Sequence, residues 1–144
     1  TKLPTPQSDC QSSAAPNVNW NNCQLSGQLL TNADLSMAQM RGSILTDSNM
    51  MNSQLSGADL AYSDLRKANL SYSQLNNADL KGANLREADL VEADLSNADL
   101  SYADLTDANI SGAITLTTKL DNAIWIDGTV CGKNSTGVCR RSGQ

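Results

Sequence analysis

The sequence predicts an all-β coil, a solenoid that turns a corner every five residues, and three observations lead to it. Leucine recurs on one five-residue register: of the eighteen register positions from 25 to 110, fifteen are Leu, with Met40, Met50 and Ile110 in the others. Two residues before each register position, from 33 to 113, Ala stands twelve times and Ser five times. The two positions after it are polar, small or glycine (Gly27, Gly42, Gly57, Gly82, Gly112), as a corner requires.

Regular elements cannot bury this pattern. An α-helix advances about 100° per residue, so a five-residue step rotates roughly 140° and scatters the leucines around the helix. In a long strand an odd step puts successive leucines on opposite faces. A chain that bends once per pentad returns each Leu to the inside. Residues two apart in extended chain point the same way, so the Ala or Ser faces inward as well. The residue between them, mostly Asp, Asn or Gln (Asp59, Asp64, Asn69, Gln74, Asp79, Asn84, Asp89), points outward.

This A-(D/N)-L-x-x pattern, clearest in ADLSNADLSYADLTDANI at 93–110, resembles the pentapeptide-repeat family over roughly residues 23–125. The resemblance implies a right-handed four-sided β-helix, one pentapeptide per side and twenty residues per coil. Residues 20–125 would then make about five coils, a rod about 25 Å long at the strand spacing. Leu25, Leu45, Leu65, Leu85 and Leu105 would share one inner ladder and Leu60, Leu80 and Leu100 another. Outside, Asp59, Asp79 and Asp99 form one column, and Asp64, Asn84 and Asp104 a second. Tyr62 and Tyr102 share a surface column two coils apart, and Tyr72 lies on another.

The chain divides into an N-terminal arm (1–17) rich in Pro, Ser and Gln, the solenoid (18–125) and a C-terminal segment (126–144). Trp20 falls in register and is expected to plug the first coil; Trp125 takes the corresponding place at the other end. Asp127-Gly128 reads as a turn into the loop CGKNSTGVC. Cys10, Cys23, Cys131 and Cys139 all lie near the ends. Pairing across the rod would span far more than the roughly 7 Å that a disulfide allows between Cα atoms. The expected pairs are Cys10–Cys23 and Cys131–Cys139, forming disulfide-stabilised caps in an oxidising compartment. An extracytoplasmic location (secreted, periplasmic or thylakoid lumen) is therefore expected; a chain beginning at Thr1 suits removal of a leader, and equally a trimmed chain.

Between residues 20 and 113 there are twelve acids and five bases, and the whole chain carries a net charge of −5. Such a surface disfavours nucleic acid, and no apolar run is long enough to span a membrane. With no His in the chain, the commonest general base and metal ligand are missing. Ser and Asp sit at positions the repeat already explains, and no phosphate-binding loop occurs; no catalytic residue, cofactor or enzyme activity is assigned. The Asp columns offer one carboxylate group per rung without an enclosing loop, so no metal site is assigned either. Cysteines at opposite ends likewise argue against zinc.

The candidate surface contacts are Tyr62, Tyr72, Tyr102, Asp59, Asp79 and Asp99, since Tyr is enriched at binding hot spots. The function expected is that of a non-enzymatic, exported structural or interaction module, self-assembling end to end as a homo-oligomer or filament, or scaffolding another protein. Two alternatives stand beside it. Some members of the resembled family mimic DNA and modulate type II topoisomerases through an acidic rod. A flat repeated face, such as the column Ser36, Ser56, Asn76 and Ser96, could instead recognise an ordered lattice of ice or polysaccharide.

Overall fold

The computed structural model describes residues 7–141; the start of the arm (1–6) and the last residues of the C-terminal segment (142–144) lie outside the described residues. The fold is built from its corners, and each corner rests on three backbone features. The register carbonyl accepts the N–H three residues on, as Leu65 does from Ala68 at 3.1 Å. The second corner residue takes a left-handed conformation: at every such position from Asn17 to Gly112, φ lies between 57° and 73°. These are type II turns, which require positive φ at their third residue, and the Asn and Gly frequency there follows. Where the outward residue is Asp or Asn, its Oδ1 folds back to accept the N–H two residues ahead, at 3.0 Å for Asp59 and Ala61 and 2.9 Å for Asp99 and Ser101. This Asx turn occupies a corner N–H that the type II turn leaves free.

Turned this way, the chain stacks on itself at an interval of twenty residues. Parallel bridges join Asn19 stepwise to Lys119 on a first wall, Gln24 to Ile124 on a second, Leu29 to Asn109 on a third and Asp34 to Ile114 on a fourth. Because two of five residues make the corner, each rung contributes one bridged residue rather than a long strand. The rungs are nonetheless closely bonded. Leu70 donates to Asp89 O at 2.7 Å, Asp89 donates to Ala68 O at 2.9 Å, and Lys67 at the corner donates to Arg86 O at 3.0 Å.

The interior is a column of register side chains, fully buried from Leu35 to Leu105, with Met40 and Met50 filling leucine places. Small residues line it, and the buried serines cost little there. Ser43, Ser53, Ser63 and Ser73 each donate to the register carbonyl three residues back, at 2.6–2.7 Å, so no hydroxyl is left unpaired.

The two ends are finished differently. At the start, Asp9 donates to Asn19 O at 2.8 Å, the Ser8 hydroxyl donates to the Asn21 carbonyl, and a disulfide joins Cys10 to Cys23. Trp20 is buried there, with its indole Nε1 unpartnered among the described residues. At the far end Thr117 departs from the left-handed conformation of the earlier corners, as expected of a β-branched residue. Its Oγ1 instead accepts Asn97 N–H at 2.9 Å. After Trp125 the chain reverses through a short hairpin loop with Gly128 at φ 84°, and Trp125 donates to Thr129 O at 2.7 Å. The returning segment pairs antiparallel with the last rungs of the second wall (Ile124 with Val130) and the first (Lys119 with Thr136). A disulfide between Cys131 and Cys139 closes the loop between them, and Trp125 is half-buried beside it.

Candidate functional site

A solenoid whose interior is filled can act only through its walls, corners and ends. On the walls the Asp column is already engaged in structure. Asp59, Asp79 and Asp99 each commit one carboxylate oxygen to a corner N–H, on Ala61, Lys81 and Ser101. Partial burial of Asp99 raises its pKa, but hydrogen bonds from the Ser101 hydroxyl and N–H outweigh this and hold it below the usual range. On the second wall the Arg66 guanidinium grips Asp64 with two bonds of 2.9 and 2.7 Å and lowers its pKa. Arg86 approaches Asp104 at 3.4 Å. Exposed pairs of this kind contribute roughly 0–1 kcal/mol each. They shape the charge pattern more than the stability. The corner between Asp47, Arg66, Lys67, Arg86 and Glu87 sets three bases beside two acids. Among the described residues no group of three His, Cys, Asp or Glu could hold a metal ion, and no helix is long and apolar enough to cross a membrane.

The three tyrosines are exposed at corners, each in the left-handed conformation. Tyr62 is pinned flat against its column. A Cβ on Gly82, one coil later, would lie 2.6 Å from the Tyr62 ring, and the Arg41 guanidinium sits 5.0 Å from the ring centroid. Glycine at 82 therefore makes room for the ring, and cation–π attraction steadies it. The structure thus keeps Tyr62 and Tyr102 on one column and sets Tyr72 on another, so the three do not form one patch.

The terminal rungs carry a feature that the repeat reading passed over. The outward wall position is polar at every rung from Asn49 to Asn109. It is aliphatic at Leu29 and Ile44 near the start and at Ile114 and Ile124 near the end. Leu29 is 84% exposed, Ile114 51%, and Leu116 at the adjoining corner 80%. Beside them at the far end lies a shallow recess lined by Trp125, Gly137, Val138, Cys139 and Arg141. The signal was present in the sequence as a break in the outward column, but a search for regularity averages it away.

The family profile described as Pentapeptide repeats matches residues 17–47, 48–86 and 78–114, in eight copies. Solved structures resemble the fold. The pentapeptide repeat protein Rfr23 of the cyanobacterium Cyanothece 51142 is 27% identical, with a TM-score of 0.60 over 72% of this chain and 88% of its own. A pentapeptide repeat protein of the Arabidopsis thaliana thylakoid lumen is 25% identical, with a TM-score of 0.57 over 72% of this chain and 69% of its own. One from Nostoc PCC 7120 is 42% identical, with a TM-score of 0.52, but over 53% of this chain and 63% of its own. No curated protein sequence matches. The fold shared with these neighbours is the right-handed β-solenoid.

Proposed function

The chain belongs to the pentapeptide-repeat family, and from that premise we propose that it is a non-enzymatic protein-interaction rod of an extracytoplasmic compartment, binding through its ends. The observation that carries this reading is the placement of large exposed aliphatic side chains. Leu29, Ile114 and Leu116 lie at the terminal rungs, whereas the outward position is polar at every rung from Asn49 to Asn109. Exposed apolar patches rimmed by polar residues mark interaction sites. The compartment is supported by the cysteines: both pairs are joined, one at each end, and none is free among the described residues. Disulfides persist in oxidising compartments and are rare in reducing ones.

The test is a thiol count on native protein isolated with free thiols blocked. No reactive thiol is expected before reduction and four after it; four before reduction would overturn the compartment. A supercoiling assay with a type II topoisomerase tests the rest. It is expected to show no effect, and inhibition or protection of the enzyme would move the function to the acidic walls.

A further inference from the structure

The two ends of the rod are unfinished on the same side of the molecule. At the far end the returning segment covers the last rungs of the first and second walls, and the third and fourth stay open. Ile110 N–H and Ala108 C=O on the third wall, and Thr115 N–H and Ala113 C=O on the fourth, have no backbone partner among the described residues. One rung lower in the stack, the same positions are bonded: Leu90 donates to Asn109 O at 2.7 Å, and Asn109 donates to Ala88 O at 3.0 Å. At the near end the arm pairs with the first wall through Asp9. Gln24, Leu29 and Asp34, which open the second, third and fourth walls, keep both N–H and C=O without a backbone partner among the described residues. A bare edge of this kind is a template for another strand.

Side chains and charge distinguish which strand it is. The aliphatic outward residues are grouped at both ends, Leu29 at one and Ile114 with Leu116 at the other. Residues 7–40 hold Asp9 and Asp34 and no base, while residues 108–141 hold Lys119, Lys133, Arg140 and Arg141 against Asp121 and Asp127. Over these described residues the near end carries net negative and the far end net positive charge, which favours contact between unlike ends over contact between like ends. Beneath the caps the rod keeps one four-walled cross-section from end to end, since every parallel bridge preserves the twenty-residue interval.

We propose that the near end of one copy docks on the far end of another, so that the chain associates head to tail with itself. This rests on reading the chain as an end-binding rod and names the partner. Both caps lie over the first wall, Asp9 against Asn19 and Thr136 against Lys119. Two copies therefore meet with their capped halves on opposite sides, each cap entering the step that the other end leaves open. The contact is heterologous, and a heterologous contact that does not close extends into a filament. The disulfides hold the caps in the shape that the joint requires.

The test uses disulfide-intact protein and two variants, Leu29→Lys and Leu116→Glu, both at exposed positions that leave the interior untouched. Mass is followed by light scattering across a concentration series at low and high salt, with circular dichroism to show that each variant keeps the wild-type spectrum. The wild type is expected to grow in mean mass with concentration, less so at high salt. Each variant alone is expected to stay at the monomer mass. Mixed, the two regain association, because each supplies the intact end that the other lacks. A wild type that stays monomeric at every concentration and both salts overturns the proposal. So does a dimer that survives Leu29→Lys, which would mean an isologous contact through the far ends. Neither result touches the thiol count or the topoisomerase assay, so the joint can fail while the end-binding rod stands.

Discussion

The middle of this rod and its two ends obey different rules, although one repeat wrote both. Between Met40 and Leu105 each rung exchanges hydrogen bonds with the rung before it and with the rung after. Every register side chain there is buried by its neighbours above and below. At the ends one of those neighbours is missing. There the chain brings in devices the repeat does not contain, a disulfide-tied arm, an indole, a reversing hairpin, and even so leaves at least the third and fourth walls bare among the described residues. The interior of a solenoid is thus determined by its nearest neighbours, and individuality collects where a neighbour is lacking.

The sharpest way to break the comparison is to delete the same side chain from both regions. Leu70→Ala removes a fully buried register residue between two rungs that cannot collapse far. The expected loss is about 2–5 kcal/mol, the range for buried Leu→Ala changes that leave a cavity. Leu29→Ala trims a side chain that is mostly in solvent and should stay within about 0.5 kcal/mol in dilute protein. Urea denaturation followed by circular dichroism measures both. Equal losses would mean that Leu29 is packed in the isolated molecule and that the end is not open.

The next test concerns the outward carboxylates. Asp104 accepts Thr106 N–H at 3.0 Å and the Thr106 hydroxyl at 2.6 Å, with Arg86 at 3.4 Å. Partial burial raises its pKa, but the Thr106 and Arg86 hydrogen bonds lower it more, so it lies below the ordinary value. A depressed folded-state pKa gives stability that is present above the unfolded pKa, near 3.9. That stability is lost as pH falls through the folded value. Wild-type stability should therefore hold from neutral pH to about 5 and decline below about 4. Asp104→Ala should cost roughly 1–2 kcal/mol at neutral pH, the worth of a charge-assisted bond to a corner N–H. Asp104→Asn keeps the accepting oxygen and should cost less, with a shallower decline in acid. If Asn and Ala cost the same, the carboxylate works through its charge alone and the Asx turn is incidental.

This bears on what could be read from the residues themselves. The leucine period determined which side chains face in, because burial of one side chain per pentad leaves a direct mark on composition, whereas the twenty-residue interval between stacked rungs was implied by the family resemblance. Cysteine pairing followed from distance along the rod. The role of Asp59, Asp79 and Asp99 was not legible, since an outward polar residue looks the same whether it faces a partner or folds onto its own corner. Nor was the reversal after Trp125, where the chain gives up its parallel course for an antiparallel return over two walls. That reversal, and the bareness of the other two walls, depend on where the backbone goes once the repeat stops. No periodic signal encodes that.

The smallest effect lies at the corners, and it separates the two regions most finely. Lys67 occupies a mid-rod corner at φ 60°, a conformation that costs an ordinary L-residue about 1 kcal/mol and that Asn tolerates. Lys67→Asn should therefore raise stability by a few tenths of a kcal/mol. Lys67→Thr should lower it by about 1 kcal/mol, because a β-branched side chain crowds the left-handed backbone further. At the far end Thr117 has already resolved this conflict by leaving the left-handed region and offering its Oγ1 to Asn97 N–H. Thr117→Asn should thus gain nothing from relief of strain and lose that bond if the new side chain does not replace it. Corners at Asn22, Gly112 and Asn122 stay left-handed with a rung on one side only, so the departure at 117 follows from its β-branched side chain acting where no further rung is stacked above. Equal gains at 67 and 117, read from thermal midpoints of the two Asn variants, would show that both corners are held alike and that the end has no latitude of its own.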